Sequence, residues 1–170
     1  MKTLLAFLLT LLLLGCAPAE QPRLPALGRA EISGARLWQR ISAEADFEHW
    51  AFWPGHEELQ PGQSPHGQFH EVYINYLLEE ALPAAGRRAP NGSLIVKENF
   101  DADRRPTNLT VMAKVEGYDP ANGDWFWAAY DPQGKVQAEG RLQSCIDCHE
   151  GMKDNDYIII RRLDLSLPEQ

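Results

Sequence analysis

Residues 93–140 read as a ladder of strands, and Cys145-Ile146-Asp147-Cys148-His149 follows directly. That order constrains the fold more than any other feature of the chain. SLIVKEN at 93–99 is the first strand signal of the run. LTVMAKVEGY at 109–118 sets Leu109, Val111, Ala113 and Val115 against Thr110, Met112, Lys114 and Glu116, the alternation of a strand. The turn Asp119-Pro120-Ala121-Asn122-Gly123 leads to DWFWAAY at 124–130, and Asp131-Pro132-Gln133-Gly134 leads to KVQAEG at 135–140. Connections this short favour antiparallel pairing. A 3.6-residue period is absent from 93–140, which excludes a helical bundle. Upstream, Leu37, Trp38, Ile41, Ala45, Phe47 and Trp50 predict one or two short helices over 35–53, stopped by Pro54-Gly55. Residues 54–66 read as a loop, 67–76 as a strand, 77–82 as a short helix and 83–92 as a loop. The β-branched run DYIIIRRL at 156–163 predicts a last strand. The fold class is α+β: an antiparallel β-sheet with N-terminal helices packed on it, and the CxxCH step near the C-terminus.

The start of the chain bears on compartment. Lys2 precedes an apolar run, Leu4 to Leu14, broken only by Thr10. It suits a signal-peptide core and is too short to span a bilayer. It ends in Leu13-Leu14-Gly15-Cys16, which resembles a bacterial lipobox. Residues 1–15 are then a lipoprotein signal peptide, and Cys16 is the lipidated residue. Several acyl chains on Cys16 give stable anchoring. Residues 16–34, with three prolines, read as the lipidated Cys and a flexible tether, and 35–170 as the folded domain. Ala17, rather than Asp, favours the outer membrane by resemblance to bacterial sorting rules, so the domain is extracytoplasmic and faces the periplasm. The full chain carries 16 basic and 24 acidic residues, a net charge of −8; without Lys2 the balance is −9. No nucleic-acid partner is expected, since such binding needs clustered positive charge.

CxxCH is the attachment signature of c-type haem. Each thiol adds across one vinyl group, two intervening residues let both sulfurs reach one porphyrin edge, and the adjacent His149 falls under the iron. Cys145, Cys148 and His149 are therefore the cofactor-binding residues, and His149 is the metal ligand. A structural zinc site would need four ligands, and a second cysteine pair is missing. A thioredoxin-like CxxC would need a βαβ setting. A Cys145–Cys148 disulfide is the remaining alternative in an oxidising compartment.

Beyond CxxCH, the ordered set Ser64-Pro65-His66-Gly67, Val72-Tyr73-Ile74-Asn75, Asn91-Gly92-Ser93-Leu94-Ile95-Val96-Lys97-Glu98 and Gly123-Asp124-Trp125-Phe126-Trp127 resembles the cytochrome P-460 family, over roughly residues 35–163. The resemblance implies an antiparallel sheet with packed helices, often as a homodimer, and a five-coordinate haem c. It implies hydroxylamine oxidation to nitrogen oxides, and a lysine joined to a porphyrin carbon. Related cytochromes c′-beta share the fold, lack that link and bind nitric oxide.

Lys97 matches the family's lysine. Alternation places it with Ile95 and Asn99, opposite Leu94, Val96 and Glu98. Without the resemblance an exposed strand lysine is the default. The family's distal carboxylate lies a few residues before CxxCH, so Glu139 is the expected catalytic proton acceptor, against a solvated turn glutamate. Relatives without the carboxylate crowd the iron with apolar groups, for which Phe126, Phe69 and Met112 are available beside their ordinary role as core. His66 and His70 are weighed as sixth ligands against a loop-shaping role for His66. Met152 follows the motif too closely to reach the opposite haem face, and Trp125-Phe126-Trp127 reads as core and haem wall. Three functions stay open: a hydroxylamine-oxidising enzyme passing electrons to a soluble cytochrome, a nitric oxide or gas-binding protein, and a six-coordinate electron-transfer cytochrome.

Overall fold

The computed structural model describes residues 21–63, 65–82, 86, 88–161 and 163. The signal peptide, Cys16 and Ser64 lie outside the described residues. The chain runs α1 (Gly34–Gln39), a π turn (Arg40–Glu44), a 3-10 turn (Phe47–His49), β1 (Ala51–Phe52), β2 (Gln60–Pro61), β3 (Phe69–Ile74), α2 (Tyr76–Ala81), β4 (Leu94–Phe100), β5 (Pro106–Lys114), a 3-10 turn (Pro120–Asn122), β6 (Trp125–Tyr130), β7 (Val136–Gly140), α3 (Gln143–His149) and a 3-10 stretch (Glu150–Asn155). The sheet has the order β1-β3-β4-β5-β6-β7, with β2 pairing off β3, and every pairing is antiparallel. The predicted α+β class with an antiparallel sheet is what the chain adopts.

Both faces of this sheet are buried. Side chains alternate along a strand, so each strand feeds two cores. On one face Tyr73, Val96, Val111, Ala113, Phe126, Ala128 and Tyr130 pack with Leu37, Ile41 and Phe47 from the helical N-terminal part. On the other, Val72, Ile74, Ile95, Met112, Trp125 and Trp127 pack with Leu78, Ile146, Tyr157 and Ile158. Direct cross-strand partners share a face. The register Val72↔Lys97↔Thr110↔Ala129 and Ile74↔Ile95↔Met112↔Trp127 therefore puts Lys97 on the second face.

Local chemistry seats the helices. Ser33 caps α1 by accepting from Arg36 N at 3.2 Å, and Tyr130 Oη donates to Gly34 O at 2.9 Å. Arg36 and Arg40 both pair with Glu44, which ties α1 to the π turn. Asn75 Oδ1 accepts from Leu78 N and from Leu94 N, so one side chain caps α2 and joins it to β4.

Two expectations change. Among the described residues of 156–163 no strand forms; Asp156 and Tyr157 have φ of 56° and 64°, in the left-handed region. Asn155 then holds the segment as a loop, its Nδ2 donating to Ile158 O and Arg161 O at 2.7 Å each and its Oδ1 accepting from Leu163 N at 2.6 Å. The apolar run is explained by packing, since Tyr157 and Ile158 are each 2% exposed. The described part of the predicted tether lies against the body. Gln21 Oε1 accepts from Tyr76 N at 2.8 Å, Arg40 Nη1 donates to Pro25 O at 2.5 Å, and Leu27 joins the first core.

One register pair carries a testable cost. Glu71 and Glu98 stand directly opposite on β3 and β4, beside Tyr73, whose Oη donates to Glu71 Oε2 at 2.6 Å. Burial, then the Glu71 and Glu48 charges, push Glu98 up to about 7 from 4.5. The stability tied to this raised value is present below pH 4.5 and is lost as pH rises through about 7. Glu98→Gln should stabilise the protein by about 1 kcal/mol at pH 8 and by much less at pH 5. Urea unfolding at both pH values checks this; an equal effect at both contradicts it.

Candidate haem-binding site

The CxxCH step lies on α3. Cys145 and Cys148 are three residues apart and Cys145 and His149 four apart, so one helical face carries all of them. Ile146, 4% exposed, anchors the helix in the second core and leaves Cys148 exposed and Cys145 half-buried. Gln143 Nε2 donates to Asp147 Oδ1 at 2.6 Å and braces the solvent side. Cys145 and Cys148 are not joined by a disulfide, which leaves both available for attachment.

His149 Nδ1 lies 2.6 Å from Tyr157 O. A carbonyl only accepts, so Nδ1 carries the proton and Nε2 presents its lone pair. Trp127 packs edge-on against the imidazole, with centroids 4.8 Å apart and planes at 69°. Burial lowers the His149 pKa, opposed by the bond to Tyr157, with Lys97 adding to the lowering. Burial and the Lys97 charge keep the ring neutral, while the bond to Tyr157 O fixes the tautomer that leaves Nε2 free to ligate.

The second face of the sheet completes the site. Lys97, half-buried, is pushed below its usual range by burial. Its charge is felt at His66, His70 and His149, so these groups converge. His66 and His70 are both lowered to about 4, mainly by burial. Asn99, fully buried, stands opposite His70 and donates through Nδ2 to Lys97 O and Asn108 O.

Not every sequence-predicted residue reaches this place. Glu139 pairs with Ala128 and therefore faces the first core, where its Oε2 accepts from Gly34 N at 3.0 Å. The structure does not bring it to His149. Phe126 also faces the first core, edge-on to Tyr118 at 5.4 Å, and Phe69 shares the face of Tyr73. Met112 lies on the His149 side beside Trp127. Met152 contributes its carbonyl, accepting from Tyr157 N at 2.9 Å.

Sequence reading missed the support beneath His149. Lys114 Nζ bonds both oxygens of Asp156 at 2.6 Å and sits 4.7 Å from the Trp125 ring. Asp156 Oδ2 also accepts from Ala89 N, and Asp156 O from Trp125 Nε1 at 2.7 Å. The available signal was slight: Lys114 shares its side of the strand with Met112 as well as with Thr110 and Glu116.

These residues fit haem c. The thiols and the imidazole share one helical face, the histidine tautomer is the ligating one, and the wall is largely apolar. Four buried polar atoms on this side, Trp53 Nε1, His70 Nδ1, Asn99 Oδ1 and Trp127 Nε1, have no partner among the described residues. A bound group with polar edges would satisfy atoms of this kind. Among the described residues, no cluster of three or more His, Cys, Asp or Glu forms a separate metal site. A family model described as Cytochrome P460 matches residues 44–160, more than half of the chain. No match was found among curated proteins.

The buried histidines set a pH dependence. Their folded values lie below the unfolded 6.5, so the unfolded chain takes up protons first on acidification. Stability falls from pH 6.5 towards about 4. His70→Gln should gain stability relative to the parent protein across that window. Chemical unfolding at several pH values measures the difference, and a flat difference contradicts it.

Proposed function

The chain belongs to the cytochrome P-460 family, whose members hold haem c covalently, and from that premise we propose a lipid-anchored, extracytoplasmic monohaem cytochrome that oxidises hydroxylamine. Cys145 and Cys148 are the thioether residues, and His149 is the proximal ligand. One observation carries the enzyme reading: Lys97 is half-buried on the sheet face that serves His149, and burial favours its neutral, nucleophilic amine. A lysine so placed suits the family's third covalent link.

When bound, the haem supplies the redox chemistry and an open site for a small nitrogen ligand. The chain's own residues supply the rest. His149, bonded through Nδ1 to Tyr157 O, offers Nε2 in a fixed orientation. Trp127, packed on the imidazole, and Met112, buried on the same side of the sheet, would form the apolar wall beside the group. Oxidising hydroxylamine releases protons, and Glu139 is turned away from this face. His66 and His70, both neutral above about 4, are the protonatable groups grouped with Lys97. A lipid on Cys16 would hold the domain at the outer membrane, and a soluble cytochrome would take the electrons. Among the described residues no helix is long and apolar enough to cross a membrane.

The position of Glu139 favours a second reading. Without a carboxylate over the iron, the same pocket would capture nitric oxide without turning it over. The two readings separate in one experiment. The protein is matured with haem c, digested, and searched for haem on the Lys97 peptide as well as on the Cys145–Cys148 peptide. The enzyme reading expects both attachments, a red-shifted Soret band and hydroxylamine turnover that Lys97→Arg reduces at least tenfold. Haem on the cysteines alone, with nitric oxide binding and no turnover, selects the gas-binding reading. Lack of covalent haem would overturn both.

A further inference from the structure

Asp156 and Tyr157 are consecutive non-glycine residues in the left-handed region, with φ of 56° and 64°. L-residues disfavour that conformation, and it persists only where the surroundings over-determine it. Here they do. Asp156 is 4% exposed, and its carboxylate receives both bonds from Lys114 Nζ at 2.6 Å and one from Ala89 N at 2.9 Å. Its carbonyl accepts from Trp125 Nε1 at 2.7 Å. Gly123 permits the close approach: a Cβ there would meet Tyr157 Cδ2 at 3.0 Å and Asp156 Oδ1 at 3.1 Å. The next carbonyl along, Tyr157 O, is the one that receives His149 Nδ1 at 2.6 Å.

We propose that Lys114 and Asp156 are positioning residues for His149. Their buried pair fixes the left-handed step, the step aims the Tyr157 carbonyl, and the carbonyl sets the tautomer, ring plane and donor strength of the imidazole. Strand β5 is thereby connected to the proximal ligand through one charged contact. A bond from Nδ1–H to a carbonyl makes Nε2 a stronger donor, which favours ferric over ferrous iron. The inference rests on His149 being the proximal ligand.

The test uses the full-length protein with covalent haem. Lys114→Met combined with Asp156→Asn removes both charges together and avoids leaving either one buried alone. Lys114→Arg keeps the cation, and Val111→Ala loosens the other core without touching this chain of contacts. The double variant should lower the ferrous iron–histidine stretching frequency and shift the reduction potential positive. Lys114→Arg and Val111→Ala should keep the parent values. A folded, haem-loaded double variant with both values unchanged overturns the proposal, as does the same shift in Val111→Ala. Should the double variant fail to fold, the parent decides. The His149 Nδ1 proton should persist in the proton NMR spectrum hours after transfer to deuterium oxide, and loss within minutes overturns the proposal. Absorbance of the parent shows first whether haem is attached, so failure of the cytochrome reading is seen separately.

Discussion

The structure depends on a sheet that is covered on both sides. Strands β4, β5 and β6 send successive side chains into two different cores, and neither core closes without them. The helical N-terminal part closes one side. The other side is closed by α2, α3 and the loop after Asn155, so the segment bearing the cysteines is itself part of a core. Ile146 connects the two tasks: it buries against Trp125 and Trp127 and so fixes the helix that presents His149. Burying apolar side chains from both faces is what makes a site of this precision affordable in a chain of 170 residues.

Polar groups inside that apolar setting do the aiming. Three stand out: the Lys114–Asp156 pair, the Asn155 amide and the Trp125 indole. Each is satisfied within a few residues of Tyr157, and together they convert an unfavourable backbone turn into a stable one. Such groups cost free energy to bury, so each must be met by a partner of matching geometry. The bonds at Asp156 and Asn155 meet that demand.

Much of this was legible in the sequence. Alternation around Ile95 placed Lys97 on the correct face, because a strand allows only two choices and the neighbours identify them. CxxCH named its own residues. The limits were equally physical. Distance along the chain placed Glu139 near Cys145, yet its neighbour Gly140 is the residue paired with Trp127; one step along a strand exchanges faces. The run Ile158-Ile159-Ile160 carried strand propensity, but the left-handed residues before it and the Asn155 bonds gave its backbone other partners. Lys114 was read as the polar side of an amphipathic strand. It is buried because the loop from residue 155 onward lies against it and Asp156 receives its Nζ.

The docked N-terminal segment has a consequence for geometry at a surface. From Gln21 onward the chain is fastened to the body, at the end of the sheet marked by Asn75 and Leu94. Lys97 lies farther along β4 from that end, and Asn99, paired with Asn108, lies farther still. A lipid on Cys16 would leave about five Cα–Cα steps before the fastening point, a leash of at most roughly 18 Å. Under the proposed lipid anchoring, so short a leash would keep the domain close above the bilayer, with the far end of β4, at Asn99 and Phe100, turned away from the fastening point.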